Sequence, residues 1–261
     1  MKQYDVIIVG AGHAGIEAAH AATRLGCSVL LLTVSVDTIG KLSCNPAVGG
    51  VAKSHLVREV DALGGVIGRL TDKAALQYRI LNRSKGKAVW ATRVQVDKYR
   101  YNDAAIELML GLPGLTVLEA QVRDILVRNN RVIGVTTGIG EFRSKRVVIA
   151  AGTFLGGLIH VGLDNFPGGR MGEPASNDLF DSISALGIGT KRFKTGTCAR
   201  LDKSSIDYSC MEEQKPDDDA RPFSFYTDYR PRNSESCFIA YTNPRTHAII
   251  RRGLKHSPLF T

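Results

Sequence analysis

Asp5-Val-Ile-Ile-Val-Gly10-Ala-Gly12-His-Ala-Gly15 runs into an alanine-rich stretch, and Ser28-Val-Leu-Leu-Leu-Thr33 follows it. An apolar run, a Gly-x-Gly-x-x-Gly turn, a helix-forming segment and a second apolar run make a strand–turn–helix–strand unit. That context gives the glycine pattern its meaning. Gly10 permits a tight turn, Gly12 lets backbone approach a diphosphate, and Gly15 lets helix and strand pack closely. Free amides and the positive dipole end of the helix favour a phosphate there. Gly10, Ala11, Gly12, His13, Ala14 and Gly15 are therefore candidate dinucleotide ligands; the plainer alternative is an ordinary α/β core. Dinucleotide folds usually place an acid at the end of the second strand, for the ribose. Thr33 stands there, and its hydroxyl is a weaker partner than a carboxylate. The nearest acid beyond is Asp37. Glu17, inside the helix, reads as a surface or packing residue.

The 261 residues suffice for one large domain or one domain plus a smaller one. No apolar stretch approaches the ~20 residues of a membrane helix. Met1-Lys-Gln-Tyr-Asp5 leads directly into a strand, so no signal peptide is read. Cysteines at 27, 44, 198, 210 and 237 form no C-x-x-C pair and no zinc pattern. Their odd, scattered number points to a reducing cytoplasm. The net charge of +9 suggests a polyanionic partner. Arg79, Arg83, Lys85, Lys87 and Arg93 crowd one stretch with Tyr78 and Trp90 interleaved. Arg230, Arg232, Arg245, Arg251, Arg252 and Lys255 crowd the C-terminal end. Cations among aromatics suit phosphate contact and base stacking; the first cluster reads equally as a phosphate clamp for the dinucleotide or as a solvated loop.

Further along, Lys53–Leu63 reads as a helix closed by Gly64-Gly65, and residues 94–110 as another. Residues 115–118, 122–128, 131–136 and 141–142 read as strands of a small antiparallel meander, with turns at Asn129-Asn130 and Gly138–Gly140. Arg146-Val-Val-Ile-Ala-Ala-Gly152 reads as a buried strand ending in a small-residue turn. Residues 178–186 read as a helix ending at Gly187. From about Leu201 the composition turns polar. The meander and the returning strand resemble flavoprotein disulfide-reductase-like folds, in which the end of that strand, here Gly152, lies beside the cofactor. The resemblance implies an α/β fold: a Rossmann-like FAD-binding domain of the glutathione-reductase-like type with an inserted meander over residues 1–200. Residues 201–261 would begin a second, nicotinamide-binding or insertion domain.

Ser43-Cys-Asn-Pro-Ala-Val-Gly-Gly50 is unusual chemistry for a structural loop. Cys44, near a helix start with Lys53 and His55 following, has the setting of a reactive thiol; a buried inert cysteine is the alternative. With Glu59–Gly65, Leu81–Gly86, Gly152–Leu155, Gly169–Ser176, Lys194–Thr197, Thr242-Asn243, Thr246-His247 and Ser257-Pro258, this segment resembles the MnmG (GidA) family. These are the large flavoprotein subunits of the bacterial tRNA wobble-uridine modification enzyme. The resemblance covers essentially the whole chain. It implies FAD as cofactor, NADH as reductant and methylenetetrahydrofolate as one-carbon donor. It also implies tRNA as substrate, the GTPase MnmE as partner, a homodimer, a cytoplasmic setting and no membrane. Cys44 matches one of two cysteines of the family's chemistry, as nucleophile or acid–base group. By position, Gly10, Gly12, Gly15, Val122 and Ser176 contact FAD, with Gly152 at the end of the returning strand.

Two departures stand out. The family reads Thr-Gly-Thr-Pro-Pro-Arg where this chain has Thr195-Gly-Thr-Cys198-Ala199-Arg200, and Lys87 replaces a proline after Gly86. Losing prolines frees backbone angles, and Cys198 reads as a thiol particular to this chain. Family members also run well past Thr261, and their second cysteine lies beyond it. The expectation is an N-terminal fragment without turnover of its own. Two other readings stand: a flavin oxidoreductase acting on a small molecule, and a non-catalytic module binding a dinucleotide or tRNA.

Overall fold

The computed structural model describes residues 3–230, 233–257 and 260. Arg232 of the basic cluster and Pro258 of the last shared motif lie outside them.

A parallel sheet has the strand order Val147–Ile149, Val6–Val9, Val29–Thr33, Leu115–Glu119. Val6–Val9 and Val29–Thr33 are buried along their whole length, as the central strands of a covered parallel sheet must be. Their side chains alternate between two cores. Val6, Ile8, Val29 and Leu31 face the helices His13–Arg24 and Lys98–Leu110, meeting Ile16, Tyr101 and Met109. Ile7, Val9, Leu30 and Leu32 face the other way, meeting Val122, Val135 and Leu179. That second core belongs to an antiparallel meander of Val122–Arg128, Arg131–Thr137 and Gly140–Ser144. Gln3–Tyr4 joins its far edge in parallel. Asn129 and Asn130 both adopt positive φ in the two-residue turn, the geometry such hairpins favour. Helices, parallel sheet and meander thus form the predicted α/β frame with its insertion.

Several expectations need correction. Leu115–Glu119 belongs to the parallel sheet, beside Val29–Thr33, and not to the meander. The stretch 94–110 is not one helix: Ala91–Val96 is a strand, and Lys98–Leu110 starts afresh where the Asp97 side chain accepts from Tyr99 N and Arg100 N. Alternation at Val94 and Val96 suits a strand, and an N-cap aspartate suits the restart. Val147–Ile149 is an edge strand, with Val148 and Ile149 exposed. The helix Ile67–Ala74 and the strand Ala75–Leu81 were not expected.

Ala75–Leu81 pairs with Ala91–Val96, which pairs with Ala47–Gly49. The other edge of Ala75–Leu81 is covered by later chain. Tyr78 N donates to Asn233 Oδ1, Ile80 N to Asp217 Oδ2, and Asp217 N to Tyr78 O. Two buried carboxylates fasten that later chain. Asp72 accepts from Tyr78 Oη, Phe223 N, Ser224 N and Thr227 Oγ1. Asp61, on the helix Lys53–Ala62, accepts from Ser224 Oγ and Phe225 N.

Candidate functional site

The parallel strands end in a cleft of about 310 Å³, the usual place for a ligand in an open α/β sheet. Gly10, Ala11, Gly12, His13 and Ala14 form one wall. Gly10 has φ +99°, and a Cβ there would lie 2.5 Å from Ala150 O. Gly15 does not line the cleft. A Cβ on it would meet Gly10 O at 1.8 Å, so its bareness seats the helix against the turn. Gly12 has open space where its side chain would be. A backbone turn at a helix start, open at Gly12, fits a diphosphate.

Thr33, Val122, Gly152 and Ser176 line the same cleft. Thr33 is buried, and its hydroxyl donates to Ser35 O. Asp37 lies in the short turn Val36–Thr38. The acid at this end of the sheet is Glu119, in register with Thr33, whose carboxylate accepts from Val36 N. Ser176 opens the helix Asn177–Ala185, whose amide end meets the cleft. Its own amide donates to Phe154 O. Glu17 is a packing residue: its carboxylate accepts from Val66 N and Ile67 N, and burial raises its pKa.

His13 is the electrostatic oddity. Its Nε2 is enclosed without a hydrogen-bond partner, and its ring leans on Tyr101 at 5.6 Å. Burial, and then the charge of Lys53, lower its pKa to about 4. The fold thus keeps a neutral imidazole beside the glycine turn, with its Nε2 shut away from solvent.

Cys44 is not in the cleft wall; its neighbour Ser43 is. Nor does it stand at a helix start, since Ala47–Gly49 intervenes before Lys53–Ala62. Lys53 does come close: Nζ donates to Ala47 O, and burial lowers its pKa against the opposing effect of Cys44. His55 is exposed. The Cys44 loop is tied to the cleft through Arg170, which sequence reading passed over. Arg170 Nη1 donates to Ser43 Oγ at 3.0 Å. Its Nη2 and Nε grip Glu173 at 2.8 Å each, and the guanidinium lies over Phe154. Lys41 shares Glu173 at 3.7 Å. The Arg-x-x-Glu spacing within the 169–176 motif was the available signal.

The first basic cluster is largely spoken for. Arg83 pairs with Asp219 (2.6 Å) and Asp217 (3.2 Å), Arg79 Nη1 donates to Lys215 O, and Arg93 donates to Gln214 Oε1. Tyr78 is fully buried and closed to base stacking. Lys85 and Lys87 remain exposed. At the other end, Arg245, Arg251 and Arg252 are exposed on the helix Pro244–Gly253. Among the described residues no helix is long and apolar enough to cross a membrane.

Comparison with known proteins gives one consistent result. The family described as glucose inhibited division protein A matches residues 5–261. The tRNA uridine 5-carboxymethylaminomethyl modification enzyme MnmG of Wolinella succinogenes is 50% identical over all of this chain, and that of Geobacter sulfurreducens 52%. The chain spans 42% of the length of either relative. The crystal structure of Aquifex aeolicus GidA superposes with a TM-score of 0.94 at 44% identity, covering all of this chain and 45% of that one. The GidA-related protein from Thermus thermophilus is more distant, with a TM-score of 0.53 at 27% identity over 71% of this chain and 69% of that one. With a glycine-turn cleft and a cysteine loop tied to its rim, the chain belongs to the glucose inhibited division protein A family.

Proposed function

We propose that this chain carries the dinucleotide cleft and reactive thiol of a flavoprotein that modifies uridine in tRNA. FAD is the dinucleotide, in a domain of the glutathione-reductase-like type, and residues 201–261 open a second unit. The supporting observation is the coupling of cleft and thiol: Arg170 lines the cleft and also holds Ser43, one residue from Cys44. The glycine turn and the start of Asn177–Ala185 present amides to the diphosphate. His13 and Thr33 line the same cleft and would stand beside the bound dinucleotide, Thr33 at the end of the second strand where the ribose would be held. When bound, FAD supplies hydride transfer, with NADH as reductant and methylenetetrahydrofolate as carbon donor. Cys44 serves the uracil ring, either adding beside the carbon to be modified or moving a proton there. Its loop stays placed because Arg170 is itself fixed by Glu173 and Phe154. The GTPase MnmE, a homodimeric assembly and a cytoplasmic setting complete the reading.

Visible absorption after addition of FAD tests the cofactor: a protein-bound flavin spectrum is expected, and an unchanged free-FAD spectrum overturns it. Binding of tRNA across a salt series tests the substrate, since counterion release makes true binding fall steeply with salt. In a full-length relative, the change matching Cys44→Ser abolishes modification while flavin stays bound; undiminished activity removes this thiol from the chemistry. A second reading, an oxidoreductase for a small molecule, is favoured by the internal pairing of Arg79, Arg83 and Arg93. It predicts bound flavin with no salt-sensitive tRNA binding.

A further inference from the structure

The irregular segments that carry Cys44 and Cys198 meet. Cys44 Sγ donates to Gly196 O at 2.9 Å, and Cys198 Sγ donates to Asn45 Oδ1 at 2.9 Å. Arg200 Nη2 closes the same junction on Cys44 O at 2.6 Å. Each thiol is thus bonded to a near chain neighbour of the other. The two sides differ in freedom. Ser43 is held by Arg170, whereas residues 188–202 have no regular structure and are exposed throughout. Cys198 can therefore shift toward Cys44 at the cost of few contacts, to the Cα separation of about 4.4–6.8 Å that a disulfide requires. The remaining cysteines sit elsewhere: Cys27 follows the helix His13–Arg24, Cys210 bonds Asp207 O, and Cys237 bonds Gln77 Oε1.

We propose that Cys44 and Cys198 are a covalent modification site, closing to a disulfide under a peroxide oxidant. The exposed Cys198 thiolate attacks one peroxide oxygen. An S–O bond forms, the O–O bond breaks, and the hydroxide released takes up the thiol proton as water. Cys44 sulfur then attacks Cys198 sulfur. The S–S bond forms, the S–O bond breaks, and the second hydroxide leaves as water with the Cys44 proton. The thiols lose two electrons and the peroxide gains them; a dithiol reverses the change. The consequence, which rests on the reading of Cys44 as the reacting thiol, is a reversible stop. The disulfide also keeps that sulfur from irreversible over-oxidation.

The test treats the protein with hydrogen peroxide, blocks free thiols with iodoacetamide, and maps digests by mass without reduction. Two of the five thiols are expected to disappear together as one intramolecular Cys44–Cys198 cross-link, restored by dithiothreitol. The cross-link is absent from Cys198→Ala and Cys198→Ser and intact in Cys210→Ala. Cys44 and Cys198 recovered separately alkylated, Cys44 joined to another cysteine, or only intermolecular dimers would each overturn the proposal. These readouts need neither flavin nor tRNA, so they succeed or fail independently of the proposed reaction.

Discussion

His13 shows how one residue's surroundings set its chemistry. Its folded pKa of about 4 lies below the ordinary 6.5, because burial disfavours the imidazolium and Lys53 adds like charge. The fold therefore holds the neutral form. The stability this contributes is complete above pH 6.5 and is lost as pH falls through about 4, reaching about 3 kcal/mol at most. Urea midpoints followed from neutral to mildly acidic pH should fall in the wild type and fall less in His13→Gln. Equal slopes would clear His13. The glycines nearby separate two roles. Gly15→Ala drives a methyl into Gly10 O, backbone against backbone, and should cost about 3 kcal/mol. Gly12→Ala meets open space, so its melting temperature should hold while its affinity for FAD drops. A Gly12→Ala protein that binds FAD normally would show that the diphosphate does not pass there. The glycine pattern was legible because its spacing is local. The enclosure of His13 Nε2 without a hydrogen-bond partner was not, because the enclosing groups are remote in sequence.

Among the elements, Asp72 has the most to hold. One buried carboxylate receives four donors, three of them from residues 223–227, and so binds that segment to the helix Ile67–Ala74. Asp72→Asn turns one acceptor oxygen into a donor that faces donors, and should cost about 3 kcal/mol. Tyr78→Phe removes only one donor and should cost about 1 kcal/mol. Denaturant midpoints rank the two variants. Chymotrypsin cleavage after Phe223, Phe225 or Tyr226 should rise in Asp72→Asn; unaltered cleavage would mean the segment is anchored by other contacts. This arrangement also explains what the sequence concealed. The strands of the sheet and meander announced themselves by apolar runs and by the Asn129-Asn130 turn. Ile67–Ala74 is only eight residues long and carries Arg69, Asp72 and Lys73, so its charges masked it. The purpose of Asp72 appears only when chain from more than a hundred residues later arrives.

At the scale of the whole molecule, a net charge of +9 says little until the cations are sorted by partner. Arg79 and Arg83 neutralise Asp217 and Asp219, so they hold the late segment over Ala75–Leu81 and have little left for a polyanion. Lys85 and Lys87, on the turns beside them, are exposed, as are Arg251 and Arg252 on a helix with no buried residue. Sequence crowding placed Arg79, Arg83, Lys85 and Lys87 together; only folding divides them, because the neutralising acids lie far along the chain. Phosphate contact should follow that division. If tRNA binds, each exposed cation that touches a phosphate contributes about 0.7–0.9 to the slope of log affinity against log salt. Replacing both Lys85 and Lys87 by Gln should therefore weaken tRNA binding and flatten the slope, leaving the melting temperature unchanged. Replacing Arg79 by Gln should do the reverse, lowering stability with the slope intact. A salt slope that responds to Arg79 and ignores both lysines would mean that the ion pairs with Asp217 open on binding, and that the late segment moves aside to admit the nucleic acid.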